Sequence, residues 1–159
     1  EQSDGKGKQQ EGQRQGDEGG RHGASACPWN ILTSQAAAAG GHLHVLTWLH
    51  SAGCPWDERT CEAAAGGGHL AVLAWAHARG CPWNDWACSA AAAEGHLETL
   101  AWLHAQGCPW SERTCLAAAR HGRLAALKWA RAHGCPWHSR TCAGNAKWAG
   151  HLEVARWIQ

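Results

Sequence analysis

The sequence predicts an all-α fold, a solenoid of five stacked helix pairs, from three periodic features. The tripeptide Cys-Pro-Trp recurs every 27 residues, beginning at Cys27, Cys54, Cys81, Cys108 and Cys135. A second series of tryptophans keeps the same step, at Trp48, Trp75, Trp102 and Trp129, and at Trp157 after one inserted residue. Glycines repeat in the same register, at Gly41, Gly68, Gly95, Gly122 and, after the insertion, Gly150. A fixed period of this size is typical of repeat arrays.

The unit that begins at Cys54 shows how the first helix of each pair is predicted. Asp57 follows the Cys-Pro-Trp tripeptide, and the same slot holds Asn, Asn, Ser and His in the other units. Asp, Asn and Ser side chains accept hydrogen bonds from the free amides of a first helical turn, so four of the five slots are predicted N-caps. We expect a helix from about Glu58 to Ala65, whose alanines let neighbouring helices approach closely. The glycines at 66–68 should then form a tight turn.

The second helix of this unit is predicted from about His69 to Arg79. Its apolar residues are Leu70, Val72, Leu73, Trp75 and Ala76. Their spacing is typical of a helix with a broad apolar stripe that faces a core. Gly80 is placed as a C-terminal cap, and Pro82 prevents the helix from continuing.

The chain divides into two predicted parts. Residues 1–26 lie outside the period and contain Gly, Gln and mixed charges without Leu, Ile, Val or an aromatic residue, which predicts a disordered segment. Residues 27–159 form the array, and its last repeat is expected to be incomplete. Because the chain contains no Met, we expect a fragment of a larger parent chain. Trp157 should therefore be more exposed than Trp102.

The repeat unit resembles the ankyrin repeat. Residues 59–70 read Arg-Thr-Cys-Glu-Ala-Ala-Ala-Gly-Gly-Gly-His-Leu, which is similar to the ankyrin pattern Thr-Pro-Leu-His-x-Ala-Ala-x-x-Gly-His-x. Residues 72–75 resemble the Val-Val-x-Leu of the second ankyrin helix, and residues 80–81 its closing Gly-Ala. Ankyrin repeats have about 33 residues, so the unit here is shorter. The missing residues fall in the β-hairpin finger, which Cys-Pro-Trp-Asp replaces.

The resemblance implies a scaffold that binds another protein on the concave face made by the first helices. The candidate partner-binding residues are Glu58, Arg59, Glu62, Asp85, Trp86, Glu112, Arg113 and Arg140. Trp86 occupies a slot that holds arginine in three other units, so we expect it to be exposed and to act as a binding hot spot. Partial packing on a neighbouring side chain is the alternative for Trp86. We expect a monomer within the parent chain.

The charge of the array is distributed unevenly. The overall formal net charge is +1, which argues against binding nucleic acid or an anionic membrane by bulk charge. Residues 27–104 nevertheless carry two basic against six acidic side chains, and residues 105–159 carry eight basic against two acidic ones. Nucleic-acid or polyanion binding through the basic C-terminal repeats is therefore the alternative function. A mixed solvated surface explains the same pattern. The longest apolar runs are short alanine stretches, so we expect no membrane partner.

The nine cysteines are interpreted as structural, with no metal ion and no cofactor. No Cys-x-x-Cys pair occurs, which argues against zinc. Equivalent cysteines on stacked helices should lie ~8–10 Å apart, too far for a disulfide. We expect free thiols in a reducing intracellular compartment, cytoplasmic or nuclear, with the Cys-Pro-Trp cysteines nearer to the surface.

The repeated histidines and tryptophans are also interpreted as structural, so we expect a protein that is not an enzyme and has no catalytic residue. The histidines of the Gly-His-Leu motif open the second helices, and we expect their rings to hydrogen-bond the backbone of the turn. Ten of the twelve tryptophans occupy the two periodic slots, where a rigid aromatic is typical of a core. Trp75 and Trp102 should accordingly be nearly buried.

Overall fold

The computed structural model describes residues 29–159, and this part of the chain is helical throughout, with no strand. The helices form five pairs: α1 (Ile31–Ala39) with α2 (Leu43–Ser51), α3 (Glu58–Gly66) with α4 (Leu70–Ala78), α5 (Asp85–Glu94) with α6 (Leu97–Ala105), α7 (Glu112–Arg120) with α8 (Leu124–Ala132), and α9 (Ser139–Trp148) with α10 (Leu152–Ile158). The predicted helix-pair solenoid is confirmed. The segment 1–26, predicted to be disordered, lies outside the described residues.

Four of the five first helices begin at a side-chain cap, as the sequence predicts. Asn30, Asp57, Asn84 and Ser111 each accept a hydrogen bond from the backbone N–H two residues further on. These bonds satisfy one of the free amides of the first turn and so define where each helix starts. His138 occupies the fifth slot and makes no side-chain cap hydrogen bond.

The first helices pack on one another in an unbroken row from α1 to α9. Their contact surfaces consist of small, fully buried residues: Cys61, Ala64, Ala65, Cys88, Ala91, Ala92, Cys115, Ala118 and Ala119. Contact between successive second helices is sparse in comparison. The units are therefore held more closely on the first-helix side than on the second-helix side.

The turn between the two helices of a unit requires glycine, as Gly68 shows. Its φ is +70°, in the left-handed region that side chains rarely adopt. A Cβ at this position would lie 2.7 Å from Nδ1 of His96, which belongs to the next unit. The turn is therefore also a contact between units.

Among the Gly-His-Leu histidines, the ring of His69 bonds a backbone carbonyl, but that carbonyl belongs to the preceding unit rather than to its own turn as predicted. His69 Nε2 lies 2.9 Å from the carbonyl oxygen of Ala39, at the end of the preceding first helix. Arg123 occupies the equivalent position in the fourth unit, and its Nε donates to the carbonyl of Ala93 at 2.9 Å. Both side chains satisfy a helix-terminal carbonyl and join neighbouring units.

The interior consists of Leu, Val, Ala and Cys rather than Trp. Leu73, Leu100 and Leu103 are completely buried. Trp75 and Trp102, predicted to be nearly buried, are only half-buried and pack against the rim of this core. The prediction was wrong because a periodic aromatic can be used at the edge of every unit as well as in its centre.

The rings along this rim form what we call the aromatic edge, half-buried except for the exposed Trp157: Trp56, Trp83, Trp110 and Trp137 of the loops, Trp75, Trp102, Trp129 and Trp157 of the second helices, and His50, His77 and His104. We call the contact between successive units along this edge a joint. At one joint, His77 stacks on Trp83 with ring centroids 3.6 Å apart. Trp83 in turn meets Trp102 edge-on at 6.0 Å. At the last joint Arg131 takes the place of histidine, with its guanidinium carbon 4.6 Å from the Trp137 ring centre. Each joint connects a loop to the second helices on both sides.

The Cys-Pro-Trp cysteines lie deeper than the sequence suggests. They were predicted to be near the surface, yet the four that the structure describes are at most 5% exposed. The thiols of Cys81, Cys108 and Cys135 donate to carbonyl oxygens at the start of the preceding first helix, at 3.3–3.4 Å. A thiol that finds a backbone acceptor can be buried in the loop without a large cost.

One cysteine contradicts the prediction of reduced thiols, since Cys54 is disulfide-bonded. The expected separation of 8–10 Å applied to packed helix axes, whereas Cys54 lies in a loop, where that separation does not apply. Seven other described cysteines are free and buried. For Cys88, the side-chain hydrogen bond with Cys108 and then burial raise the pKa of the thiol, which disfavours the reactive thiolate.

The last described helix pair is less well covered than the inner ones. Trp157 is 39% exposed and Leu152 is also exposed, whereas Trp102 is half-buried. The prediction for Trp157 is confirmed. Within residues 29–159, no helix combines the length and the apolar character needed to cross a bilayer.

Candidate functional site

Two adjoining grooves open on the first-helix face, and the Trp86 indole stands between them. The α3–α5 groove has a volume of about 650 Å³ and is lined by Glu58, Arg59 and Glu62, among others. The α5–α7 groove, of about 510 Å³, is lined by Arg113, Leu116 and Arg120, among others. Trp86, Glu62 and Ala90 line both grooves, so a ligand that spans them must cross the indole.

Trp86 is held in the first turn of α5, where its backbone N–H donates to the cap residue Asn84 at 3.0 Å. The side chain is 47% exposed, as predicted from the arginines in equivalent slots. One face of the indole is covered by Arg113, whose guanidinium carbon lies 4.6 Å from the ring centre. Both interpretations of Trp86 therefore hold: it is exposed, and it packs in part on a neighbouring side chain.

The α3–α5 groove is predominantly acidic. Glu58 and Arg59 are exposed on the first turn of α3, and Glu62 lies half-buried one turn further on. Burial raises the pKa of Glu62, and the nearby carboxylates of Asp57 and Glu58 add to the shift, whereas Arg59 opposes it. A cationic or neutral group of a ligand is favoured here, because a ligand carboxylate would be repelled by the carboxylates already present.

The α5–α7 groove is basic and contains an apolar floor. Arg113 and Arg120 are exposed and stand seven residues apart on α7, which is two helical turns or ~10 Å. Leu116 and Ala117 lie between them and are half-buried. The salt bridges within residues 29–159 join Arg123 with Glu94 and His138 with Glu112, so neither guanidinium of this groove has a carboxylate partner there.

Trp148, which the sequence analysis could not place, is 79% exposed at the end of α9. The guanidinium carbon of Arg120 lies 5.8 Å from its ring centre. The arrangement repeats that of Arg113 and Trp86 in a looser form, so each arginine of the groove lies beside an exposed indole. These contacts orient the two cations without neutralising them.

Five of the eight predicted partner-binding residues share the two grooves: Glu58, Arg59, Glu62, Trp86 and Arg113. Asp85 has a different role, because its Oδ2 accepts the Ser111 hydroxyl at 2.6 Å and joins two units. Glu112 pairs with His138 Nε2 at 2.9 Å. Arg140 lines a separate hollow near Lys147 on α9.

Sequence reasoning missed Leu116, Arg120 and Trp148. Helical periodicity could have indicated the first two, since they lie three and seven residues after Arg113 on the same face of α7. Trp148 falls beside the one-residue insertion, where the repeat offers no equivalent position to compare. Among the residues that the structure describes, no group of three or more His, Cys, Asp or Glu side chains could hold a metal ion.

Comparison with known proteins does not extend this description. No family model matches the chain, and no curated protein shows significant similarity to it. The resemblance to ankyrin repeats therefore rests on the quoted residues and on the helix pairs joined by a left-handed glycine turn.

Proposed function

We propose that this array is a protein-binding scaffold of the ankyrin-repeat type. Its first-helix face around Trp86 would bind a segment of another protein. The observation that carries the proposal is the exposed indole between two open grooves, on a face built from closely packed helices. Tryptophan and arginine are among the residue types enriched in interface hot spots.

A binding role also agrees with the way the site is supported. The grooves are lined by side chains of rigid helices, whose starts are defined by Asn84 and Ser111 caps. A preorganised surface loses little conformational entropy on association, which favours recognition. The proposal includes that the array is not an enzyme, needs no cofactor, and is monomeric within a larger parent chain.

The cellular setting forms part of the same proposal. Seven free thiols favour a reducing intracellular compartment, cytoplasmic or nuclear. The disulfide at Cys54 is the observation against it. Thiol quantification on protein isolated with rapid alkylation would show whether Cys54 is a free thiol or part of a disulfide in the cell.

Nucleic-acid or polyanion binding is the alternative function, and one observation favours it. Arg113 and Arg120 lie beside exposed indoles, and single-stranded nucleic acids bind to such combinations of cations and stacking surfaces. The acidic α3–α5 groove on the other side of Trp86 opposes a long polyanion, which is why we prefer a protein partner.

Selection from a displayed peptide library, followed by affinity measurement, tests the proposal. Replacement of Trp86 by Ala should weaken the selected peptides by about 30-fold, the loss typical of a hot-spot residue. Trp48→Ala is the matched control, because Trp48 is exposed on α2, in the second-helix layer. Equal losses for both variants, or none for Trp86→Ala, would refute the proposed site. Binding of a single-stranded oligonucleotide that falls steeply with salt would favour the alternative.

A further inference from the structure

We propose that the α5–α7 groove receives an acidic segment of the partner, with two carboxylates on either side of an apolar side chain. This inference rests on the proposed function and specifies the ligand chemistry of the same face. It follows from three properties of the groove: two unpaired cations, their separation, and the opposite charge of the neighbouring groove.

The two cations are Arg113 and Arg120. Both side chains are exposed, and within the described residues neither forms a salt bridge. Each guanidinium lies beside an indole, Trp86 at 4.6 Å and Trp148 at 5.8 Å. A guanidinium that lies beside an indole and has no carboxylate partner keeps N–H groups available, and these bind carboxylates in a bidentate manner. Both cations are therefore available to an acidic ligand.

The spacing defines the ligand further. Along the axis of α7 the backbone positions of Arg113 and Arg120 lie ~10 Å apart, which corresponds to about three residues of an extended peptide. Leu116 and Ala117 form the surface between the cations and are partly accessible to an apolar side chain. A peptide with acidic residues three positions apart and a leucine between them matches this arrangement of charge and apolar area.

The neighbouring groove sets the direction of the ligand. Glu58 lies beyond Trp86, and Glu62 lies at the border shared with the α3–α5 groove, where its pKa is raised by burial and by nearby carboxylates. An acidic residue placed there would be repelled, whereas a lysine or arginine would be attracted. On the opposite side, Arg140 and Lys147 of α9 extend the positive charge. The acidic end of the ligand therefore lies toward α9, and its neutral or basic end toward α3.

The change of charge along this face distinguishes a short acidic peptide from a polyanion of uniform charge. A nucleic acid that follows the basic helices would bring phosphates against Glu58 and Glu62, at a repulsive cost. A peptide can change its charge along its length and avoid that cost. We therefore commit to a protein segment as the occupant.

Fluorescence anisotropy with three labelled peptides of equal length tests the inference. The first contains Glu-Leu-Ala-Glu followed by a lysine, the second has Gln in place of both Glu, and the third has Lys in their place. We expect the Glu peptide to bind the whole chain roughly a hundredfold more tightly than the Gln peptide, about tenfold for each of the two charge-assisted hydrogen-bonded pairs. The Lys peptide should bind most weakly.

Variants of the two arginines give the decisive comparison. Arg113→Gln and Arg120→Gln should each weaken the Glu peptide about tenfold and leave the Gln peptide nearly unchanged. Arg156→Gln, an exposed arginine of α10, is the matched control and should have no effect. The double variant R113E/R120E should prefer the Lys peptide. Helical circular dichroism confirms that each variant is folded.

Four results would overturn the inference. Equal binding of the Glu and Gln peptides would show that charge does not select the ligand. An unchanged affinity in both arginine variants would show that the groove is not the site. A single-stranded oligonucleotide that binds more tightly than the Glu peptide, with loss in the same variants, would assign the cations to a polyanion. Library peptides without acidic residues that still depend on Trp86 would preserve the proposed function and exclude only the acidic ligand.

Discussion

The interior of the array and its aromatic edge stabilise the repeats in different ways. In the interior, Leu73, Leu100 and Leu103 are fully buried among alanines and cysteines, and the first helices approach closely. At the edge, rings such as Trp83 and Trp102 are half-buried and meet at defined angles. The interior stabilises each pair by removing apolar surface from water, whereas the edge connects successive units through ring geometry.

The two regions also differ in which substitutions they accept. At the edge, Arg131 replaces the histidine of the other joints and still lies over Trp137. In the interior, Ser34 is buried where the other units have cysteine, and its hydroxyl donates to the Pro55 carbonyl at 2.9 Å. The edge requires a flat group of suitable size, and this interior position requires small volume and a hydrogen-bond partner for its polar atom.

The largest effect is expected in the interior, for Leu100→Ala. Leu100 is fully buried in α6, so the substitution leaves a cavity in a closely packed region. We expect a loss of about 3–4 kcal/mol in the free energy of unfolding, measured by chemical denaturation. A loss under about 1 kcal/mol, typical of surface changes, would mean that Leu100 is not part of a closely packed core.

Trp102→Ala should be less costly than Leu100→Ala, despite the larger side chain. If about two thirds of its ~200 Å² is removed from water, the loss is about 3 kcal/mol as an upper estimate, without the enclosed cavity that Leu100→Ala leaves. Trp102→Phe keeps a ring at the edge and should lose less than the alanine variant. A cost for Trp102→Ala above that of Leu100→Ala would reverse the distinction between interior and edge.

His77→Ala tests the stacking at a single joint. His77 stacks on Trp83 at 3.6 Å and meets Trp102 edge-on at 6.2 Å. Loss of these contacts should cost about 1 kcal/mol in thermal or chemical unfolding. His77→Arg is the control, because Arg131 makes the equivalent contact elsewhere, and it should retain most of the stability. Equal loss in both variants would indicate that the joint depends on imidazole itself.

The smallest effect is a gain, expected for Thr60→Val in the interior. The Thr60 hydroxyl is buried and finds no hydrogen-bond partner among residues 29–159. Valine has the same shape without the polar atom, so we expect an increase of about 0.5–1 kcal/mol in the free energy of unfolding. Thr60→Ser, which keeps the hydroxyl and removes the methyl group, should lower it. A loss of stability in the valine variant would reveal a partner for the hydroxyl in solution.

Local features were predictable because their causes lie within a few residues. The caps at Asp57 and Ser111 are confirmed, and the glycine turn at Gly68 adopts the positive φ that its position requires. The exposure of Trp86 could be inferred from the arginines in equivalent slots. Five of the eight candidate site residues share the two grooves for the same reason, since they occupy the solvent-facing positions of α3, α5 and α7.

The sequence by itself determined the period, the helix pairs and their boundaries to within a residue or two, because capping, helical periodicity and glycine conformation act locally. Only the tertiary structure decided that Trp102 lies at an edge, that Cys135 is buried, and that Arg120 joins Arg113 in one groove. These outcomes depend on how far each unit is rotated and displaced relative to the next. That geometry results from the packing of many small side chains between helices, which no spacing along the chain encodes directly.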